Sequence, residues 1–166
     1  MTKIIGIVAV DGEYGIGNEG KVLPFPREDI KHFQETIQDS FIVTSGHGFK
    51  QMSKKYGKFY VYSRNPEQYQ EGLNVNRACS SIRYLVNMAK LAALRAKKNV
   101  FITSPRAYEA CKDVIDEWII TVDNAVHNSD TKLPWIKDIL DGKDFRLRLN
   151  KQLTGNCSVY YMERIK

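Results

Sequence analysis

Apolar residues run without interruption through Ile4-Ile5-Gly6-Ile7-Val8-Ala9-Val10. An unbroken run of this length suits a strand covered on both faces, so the pattern predicts a first strand over 4–10. Shorter runs predict further buried strands over 41–44, 59–63, 99–103 and 117–122, and a short strand over 73–78. Between them the apolar spacing turns helical. Asp29, Ile30, Phe33 and Ile37 share one face of a helix expected to reach about Gln38. Ile82, Leu85, Val86, Ala89, Leu91, Ala92 and Ala93 mark a second helix, capped by Ser80 or Ser81. A third is expected over 47–54, before a turn at Lys55-Tyr56-Gly57-Lys58. A fourth starts at Pro105, with Ser104 as its N-cap, and passes Tyr108 to about Lys112. Residues 123–133 read as a polar loop. The last part alternates instead, in Phe145-Arg146-Leu147-Arg148-Leu149 and again from Cys157. With Thr154-Gly155-Asn156 between, this predicts an antiparallel hairpin at a sheet edge.

Strands and helices that alternate with short links imply an α/β domain with a mostly parallel central β-sheet, flanking helices and an antiparallel C-terminal hairpin, one domain over 1–166. Ligands of such sheets sit beyond the carboxyl ends of the strands. The loops there are 11–25, 45–48, 64–66, 103–105 and 123–130. Three of them lead small or polar residues into a helix start, where backbone N–H groups favour phosphate. Three on one edge suggest a long, phosphate-bearing ligand.

The stretch GIGNEGKVLPFPREDIKHF, residues 15–33, stands apart. Gly15, Gly17 and Gly20 can take positive φ and keep a loop mobile, and Leu23-Pro24-Phe25-Pro26 then stiffens it. Asp29 follows as a carboxylate on an inward-looking helix face. It is either a complement to the helix dipole in the first turn, as Glu28 could be, or a pocket acid beneath the loop.

Composition narrows the class only slightly. With 166 residues, 43% hydrophobic and 27% charged, the chain is an ordinary globular protein. No apolar run approaches the length of a membrane span, and 4–10 is too short for a signal peptide. Cys79, Cys111 and Cys157 form neither a disulfide framework nor a metal motif, so a cytoplasmic protein without a metal is expected. The net charge of +6 could attract an anion. Arg83, Lys90, Arg95, Lys97 and Lys98 read instead as the solvated face of one helix. No nucleic-acid motif, repeat or linker is present, and a monomer is expected.

In this order and spacing the sequence resembles the dihydrofolate reductase family along nearly its whole length. Ile5 to Asp11 looks like the family's first strand. Ile16-Gly17, Gly20 and Leu23-Pro24-Phe25 look like its mobile active-site loop, which an acidic residue follows four positions before a Phe, as Asp29 and Phe33 do here. Lys58 to Arg64 is similar to the strand ending in the family's Ser-Arg pair. Tyr108 fits the family tyrosine on the helix after the fifth strand. Thr121-Val122-Asp123 and Asp130-Thr131-Lys132-Leu133-Pro134 resemble the late strand and its Asp-Thr-x-Phe-Pro loop.

The resemblance implies an NADPH-dependent reductase of folate in one-carbon metabolism and nucleotide biosynthesis. Asp29, with Thr121 and Phe25, would form the catalytic group, Thr121 holding Asp29 through its hydroxyl. Ile5, Ile7, Phe33 and Met52 would line the pterin pocket. Lys58 would meet the substrate's carboxylate, where the family usually has Arg. The cofactor would lie on Ile16, Gly17, Ser45, Gly46, His47, Gly48, Ser63, Arg64, Thr103, Ser104, Arg106 and Tyr108. The sequence departs from the family at this cofactor side. Phe25 replaces a Trp, Ser45-Gly46-His47-Gly48 replaces Gly-Arg-Lys/His-Thr, and Thr103-Ser104 replaces Gly-Gly. Weak NADPH binding is therefore expected. Two functions follow: a divergent reductase, or a protein of the same fold that has lost hydride transfer and binds a ligand or a protein.

Overall fold

The computed structural model describes residues 2–52, 57–70, 72 and 74–166. The end of the expected 47–54 helix, Lys55-Tyr56 of the turn and Leu73 lie outside the described residues. An eight-stranded sheet forms the centre. Its members are β1 (Ile4–Val10), β4 (Phe41–Ser45), β5 (Lys58–Tyr62), β6 (Val75–Cys79), β7 (Val100–Ile102), β8 (Glu117–Asp123), β10 (Phe145–Thr154) and β11 (Cys157–Arg164), in the order β10-β11-β8-β1-β7-β4-β5-β6. Pairing is parallel from β1 through β7, β4 and β5 to β6, and antiparallel among β8, β11 and β10. The helices are α1 (Arg27–Ile37), α2 (Gly46–Gln51), α3 (Ile82–Ala96), α4 (Pro105–Cys111) and α5 (Ile136–Leu140). The fold class agrees with the sequence pattern, and the edge hairpin turns at Gly155-Asn156, as expected.

Contacts divide the chain into two compact units, residues 1–6 with 36–116 and residues 7–35 with 117–166. In the first unit Ile42, Val43, Phe59, Val61, Val100, Ile102, Leu85 and Ala89 are fully enclosed. Ser81 is the cap of α3 and accepts from the Tyr84 N–H. Leu91 was expected inside, but it is 54% exposed, because it falls beyond the α3 stripe of Leu85, Val86, Ala89 and Ala93. The five basic residues expected to lie on a solvated face are exposed. In the second unit Trp118, Ile120, Ile136 and Val159 form the core.

The glycine stretch corrects the expectation most. It is not an irregular loop but a small sheet of β2 (Gly15–Asn18), β3 (Lys21–Val22) and β9 (Thr131–Lys132), in the order β3-β2-β9. β9 also lies inside the expected 123–133 loop. Of the glycines named, only Gly20 has positive φ, 76°, and Tyr14 and Glu19 take that region at 64° and 51°. Gly15 and Gly17 serve close approach instead. A Cβ on Gly15 would stand 2.7 Å from Ser129 Oγ, and one on Gly17 2.9 Å from the Lys21 carbonyl oxygen. Ser129 Oγ in turn lies 2.8 Å from both the Gly17 and Thr131 carbonyl oxygens.

Asp11, at the end of β1 and 1% exposed, ties this sheet to the loop after β8. Its carboxylate accepts N–H groups from Glu13 at 2.9 Å, Gly15 at 2.8 Å and His127 at 2.9 Å. Burial pushes its pKa up, but the three backbone donors and the neighbouring His127 outweigh this and hold it below the ordinary carboxylate value. A group depressed on folding stabilises above its unfolded pKa, and that stability is lost as pH falls through the folded value. Asp11→Ala is expected to cost ~3 kcal/mol at neutral pH, since three backbone donors, one buried and two part-buried, lose a charged acceptor. In urea denaturation the difference from the unmodified protein should shrink below about pH 4.

Candidate active site

Each unit carries part of the predicted site. In the second, Pro26 opens α1 by accepting the Asp29 and Ile30 N–H groups through its carbonyl, at 3.0 and 3.3 Å. Asp29 and Ile37 face inward at 6% exposure each, and Phe33 is half-buried. Ile30, expected on the same face, is 51% exposed. One residue step turns a helix about 100°, which carries Ile30 off the stripe. Asp29 is thus a buried carboxyl and not merely a dipole partner at the surface. Burial raises its pKa, a hydrogen bond from the Thr121 hydroxyl opposes the rise, and the charge of Asp123 adds to it.

Thr121 and Asp123 are two apart on β8, so they share a face of the strand. Asp123 is 5% exposed. Its Oδ1 accepts the Ala125 N–H at 3.1 Å, and its Oδ2 lies 3.4 Å from His127 Nε2. The buried Phe25 ring meets the His127 ring edge-on, centroids 6.4 Å apart. Cys157, opposite Asp123 in the β11–β8 register, has its thiol pushed up to about 11 by burial and then by Asp29, Asp123 and Glu28. Ile7 is buried, and Ile16 and Gly17 are half-buried in β2.

In the first unit the residues expected to meet phosphate lie where β4 enters α2 and β7 enters α4. Ser45 caps α2, accepting the Gly48 N–H at 3.0 Å, while its own N–H donates to Ser104 Oγ at 3.1 Å. Ser104 holds the N-cap position of α4 but, against expectation, its side chain does not cap that helix. Its backbone sits at φ 110°, ψ 147°, close to a region that is nearly glycine's alone and strained by ~1–3 kcal/mol for other residues. The Thr44 hydroxyl beside it is buried with no partner among the described residues. A Cβ on Gly48 would come within 2.6 Å of that hydroxyl and 3.1 Å of Ser104 Cβ, and one on Gly46 would overlap the Tyr69 hydroxyl. Any side chain at position 46 would therefore require the Tyr69 ring to shift. What results is a tight cradle of backbone and side chains, with two of its N–H donors, on Ser45 and Gly48, already engaged from within.

The other predicted residues of this unit are more dispersed. Thr103 Oγ1 lies 3.5 Å from the Tyr108 hydroxyl, whose pKa burial pushes up to about 12 against hydrogen bonds from Thr103 and Ser104. Arg64 and Arg106 are exposed, and Ser63 Oγ accepts the Asn65 N–H at 3.0 Å. His47 Nε2 lies 2.7 Å from Gln51 Nε2. Lys58 begins β5, exposed, with its ammonium 5.2 Å from the Phe41 ring centroid. Ile5 is buried, and Met52, at the end of α2, is half-buried. Sequence reasoning did not single out Asp11, Asp123 or His127. Asp123 had a signal, since its separation of two from Thr121 puts it on the same strand face. Two of the Asp11 donors, Glu13 and Gly15, are local, but nothing local marks His127, which reaches Asp11 from the loop after β8.

No protein-family model matches this sequence, and a search of curated protein sequences finds no relative. The structure is similar to a dihydrofolate reductase from Enterococcus faecalis complexed with NADP(H) and RAB-propyl, with a TM-score of 0.76 over 99% of this chain and 97% of that one. Identity to it is 17%. The chain has the dihydrofolate reductase fold.

Ser104 offers a direct test of the cradle. Ser104→Gly releases the backbone strain but removes the acceptor of the Ser45 N–H and loosens the unfolded chain. These effects are each about 1 kcal/mol and offset one another, so stability should change by less than ~1 kcal/mol. The freed N–H and the vacated space should tighten NADPH binding by about tenfold, the worth of one hydrogen bond. Fluorescence titration of both proteins, beside a urea denaturation, measures the two together.

Proposed function

We propose that this chain is a divergent dihydrofolate reductase that reduces 7,8-dihydrofolate to tetrahydrofolate with NADPH, Asp29 serving as the pocket acid. The observation that carries this reading is the buried Asp29 carboxyl, its proton affinity raised by burial, on a chain with the dihydrofolate reductase fold. The solved protein of the same fold that is complexed with NADP(H) supports the choice of cofactor.

NADPH supplies a hydride when bound. The chain's own part is to hold the pterin and provide the proton that completes addition of two hydrogens across a ring C=N bond. A carboxyl that keeps its proton above the ordinary range can hydrogen-bond the ring and serve as acid near neutrality. Thr121 fixes its orientation. Ile5, Ile7, Phe33 and Met52 supply apolar contact for the ring, and Lys58 a single charge for the substrate's carboxylate, without the two-pronged grip of an arginine. Backbone at Ser45, Gly46, His47 and Gly48, with the charges of Arg64 and Arg106, would hold the cofactor phosphates. Few free donors there make the expected NADPH dissociation constant high micromolar, ~5–6 kcal/mol of binding.

Asp29→Asn should lower turnover at least about a hundredfold at neutral pH, the usual worth of a general acid. The active form carries the proton, so turnover of the unmodified protein should fall as pH rises through the raised pKa of Asp29. The variant should show no such limb. Steady-state NADPH oxidation with dihydrofolate across pH checks both, and equal turnover in the two proteins would remove Asp29 from the mechanism.

A further inference from the structure

The positive charge of the chain is concentrated in one stretch. Residues 72–108 hold no Asp or Glu, and their seven Lys and Arg exceed the net charge of +6 on the whole chain. Five of the seven, Arg83, Lys90, Arg95, Lys97 and Lys98, lie on α3 or just past its end. Arg83 pairs with Asp113 at 3.1 Å, while the other four have no ion-pair partner among the described residues. The same helix leaves apolar side chains in water. Tyr84, Leu91 and Leu94 are 43%, 54% and 57% exposed. With Asn87 they succeed one another at steps of three, four and three, one line on the side of α3 opposite the buried Leu85, Ala89 and Ala93. Arg83, Lys90 and Lys97 recur every seventh residue along one border of that line, and Met88 and Arg95 along the other. Arg77 holds Tyr84 in place, its guanidinium donating to the hydroxyl at 2.8 Å and lying 5.3 Å from the ring centroid. Beside the line, the surface between α3 and α4 dips into an open cavity of about 90 Å³, lined by Arg83, Val86, Asn87, Ala110, Cys111 and Val114.

We propose that this face of α3, with the cavity beside it, is a docking surface for an amphipathic helix of another protein, one whose apolar line is bordered by Glu or Asp. Two apolar residues in every seven, bordered by charge, is the pattern on which helices pair, and the border charges select the partner. Every charged residue along either border of α3 is basic. A second copy of the chain would set Arg83, Lys90, Arg95 and Lys97 against their own equivalents, and like charges at such positions repel. An acidic helix is attracted at the same positions and covers Leu91 and Leu94 as well. Phosphates alone would make no use of those leucines. The cavity suits one small aliphatic side chain, a knob that a helix presents at a fixed place and a bilayer does not. No residue of α3 belongs to the site described above, so the docking surface stands apart from the reductase reading.

The test uses the full chain and two synthetic helical peptides of about three heptads, both with Leu along the apolar line, one bordered by Glu and the other by Lys. Fluorescence anisotropy of the labelled peptides reads binding. The Glu peptide should bind with a dissociation constant of about 10 µM, and the Lys peptide at least about tenfold more weakly. Leu91→Ala with Leu94→Ala should weaken the Glu peptide at least about tenfold. Lys90→Glu with Lys97→Glu should reverse the preference between the two peptides. Leu147→Ala with Leu149→Ala, similarly exposed but on β10, should leave binding unchanged. A Glu peptide that binds no tighter than the Lys peptide, or as tightly after the loss of Leu91 and Leu94, would overturn the proposal. The two peptides compared on the unmodified chain decide the matter even if a variant does not fold. Two further outcomes would also overturn it, each read on the unmodified chain and on Leu91→Ala with Leu94→Ala. Sedimentation with vesicles of equal parts phosphatidylcholine and phosphatidylserine, abolished by the substitutions, would assign the face to a membrane. A dimer in analytical ultracentrifugation that the substitutions dissociate would assign it to a second copy.

Discussion

Burying carboxyl groups is the constraint that shapes the second unit. Asp11, Asp29 and Asp123 are all at or below 6% exposure, and each is accommodated differently. Asp11 stays ionised on three backbone N–H groups. Asp29 has a hydroxyl, and burial raises its pKa. Asp123 has one N–H and an imidazole. An unpartnered buried charge would cost several kcal/mol, a large part of the stability of a domain this size. The partners therefore dictate the architecture. Asp11 cannot collect its third donor, the His127 N–H, unless the stretch after β1 and the loop after β8 meet, and that meeting is what the small β3-β2-β9 sheet achieves.

The first unit meets a different constraint at the β4–α2 and β7–α4 junctions. Here backbone passes close to side chains, and the glycines at 46 and 48 allow it: a Cβ at 46 would meet the Tyr69 ring, and one at 48 the Thr44 hydroxyl and Ser104 Cβ. Ser104 has the backbone angles that suit glycine, yet carries a side chain, and that side chain occupies the Ser45 N–H. Strain at one residue is offset by one hydrogen bond, a balance that leaves the fold intact and takes a donor from any phosphate.

The two arrangements have opposite consequences for function. An enclosed carboxyl holds its proton more tightly than an exposed one, because low dielectric magnifies both its pKa shift and its hydrogen bonds. A cradle whose donors are already engaged gains less from each phosphate oxygen that enters. On the reductase reading proposed above, turnover would be limited by cofactor occupancy before it is limited by the acid.

Much of this was legible in the chain itself. Unbroken apolar runs such as 4–10 and 99–103 determine buried parallel strands, because only a strand covered on both faces has no polar side. Alternation from Phe145 and Cys157 determines the edge hairpin, and the helical phase of Asp29 and Ile37 puts a carboxylate inside. These are local periodicities, and local geometry converts them into faces. Tertiary structure decided the rest. The glycine stretch became strands because β9, more than 100 residues later in sequence, supplied its hydrogen bonds. Ile30 went to solvent because it lies one step off the buried stripe. Ser104 failed to cap its helix because Ser45 offered its hydroxyl a donor. Asp123 came within charge range of Asp29, and His127 came beside Asp123, through the fold of β8 and its loop. Hydrogen bonds and charge couplings between distant segments leave no period in a sequence, so only the folded chain reveals them.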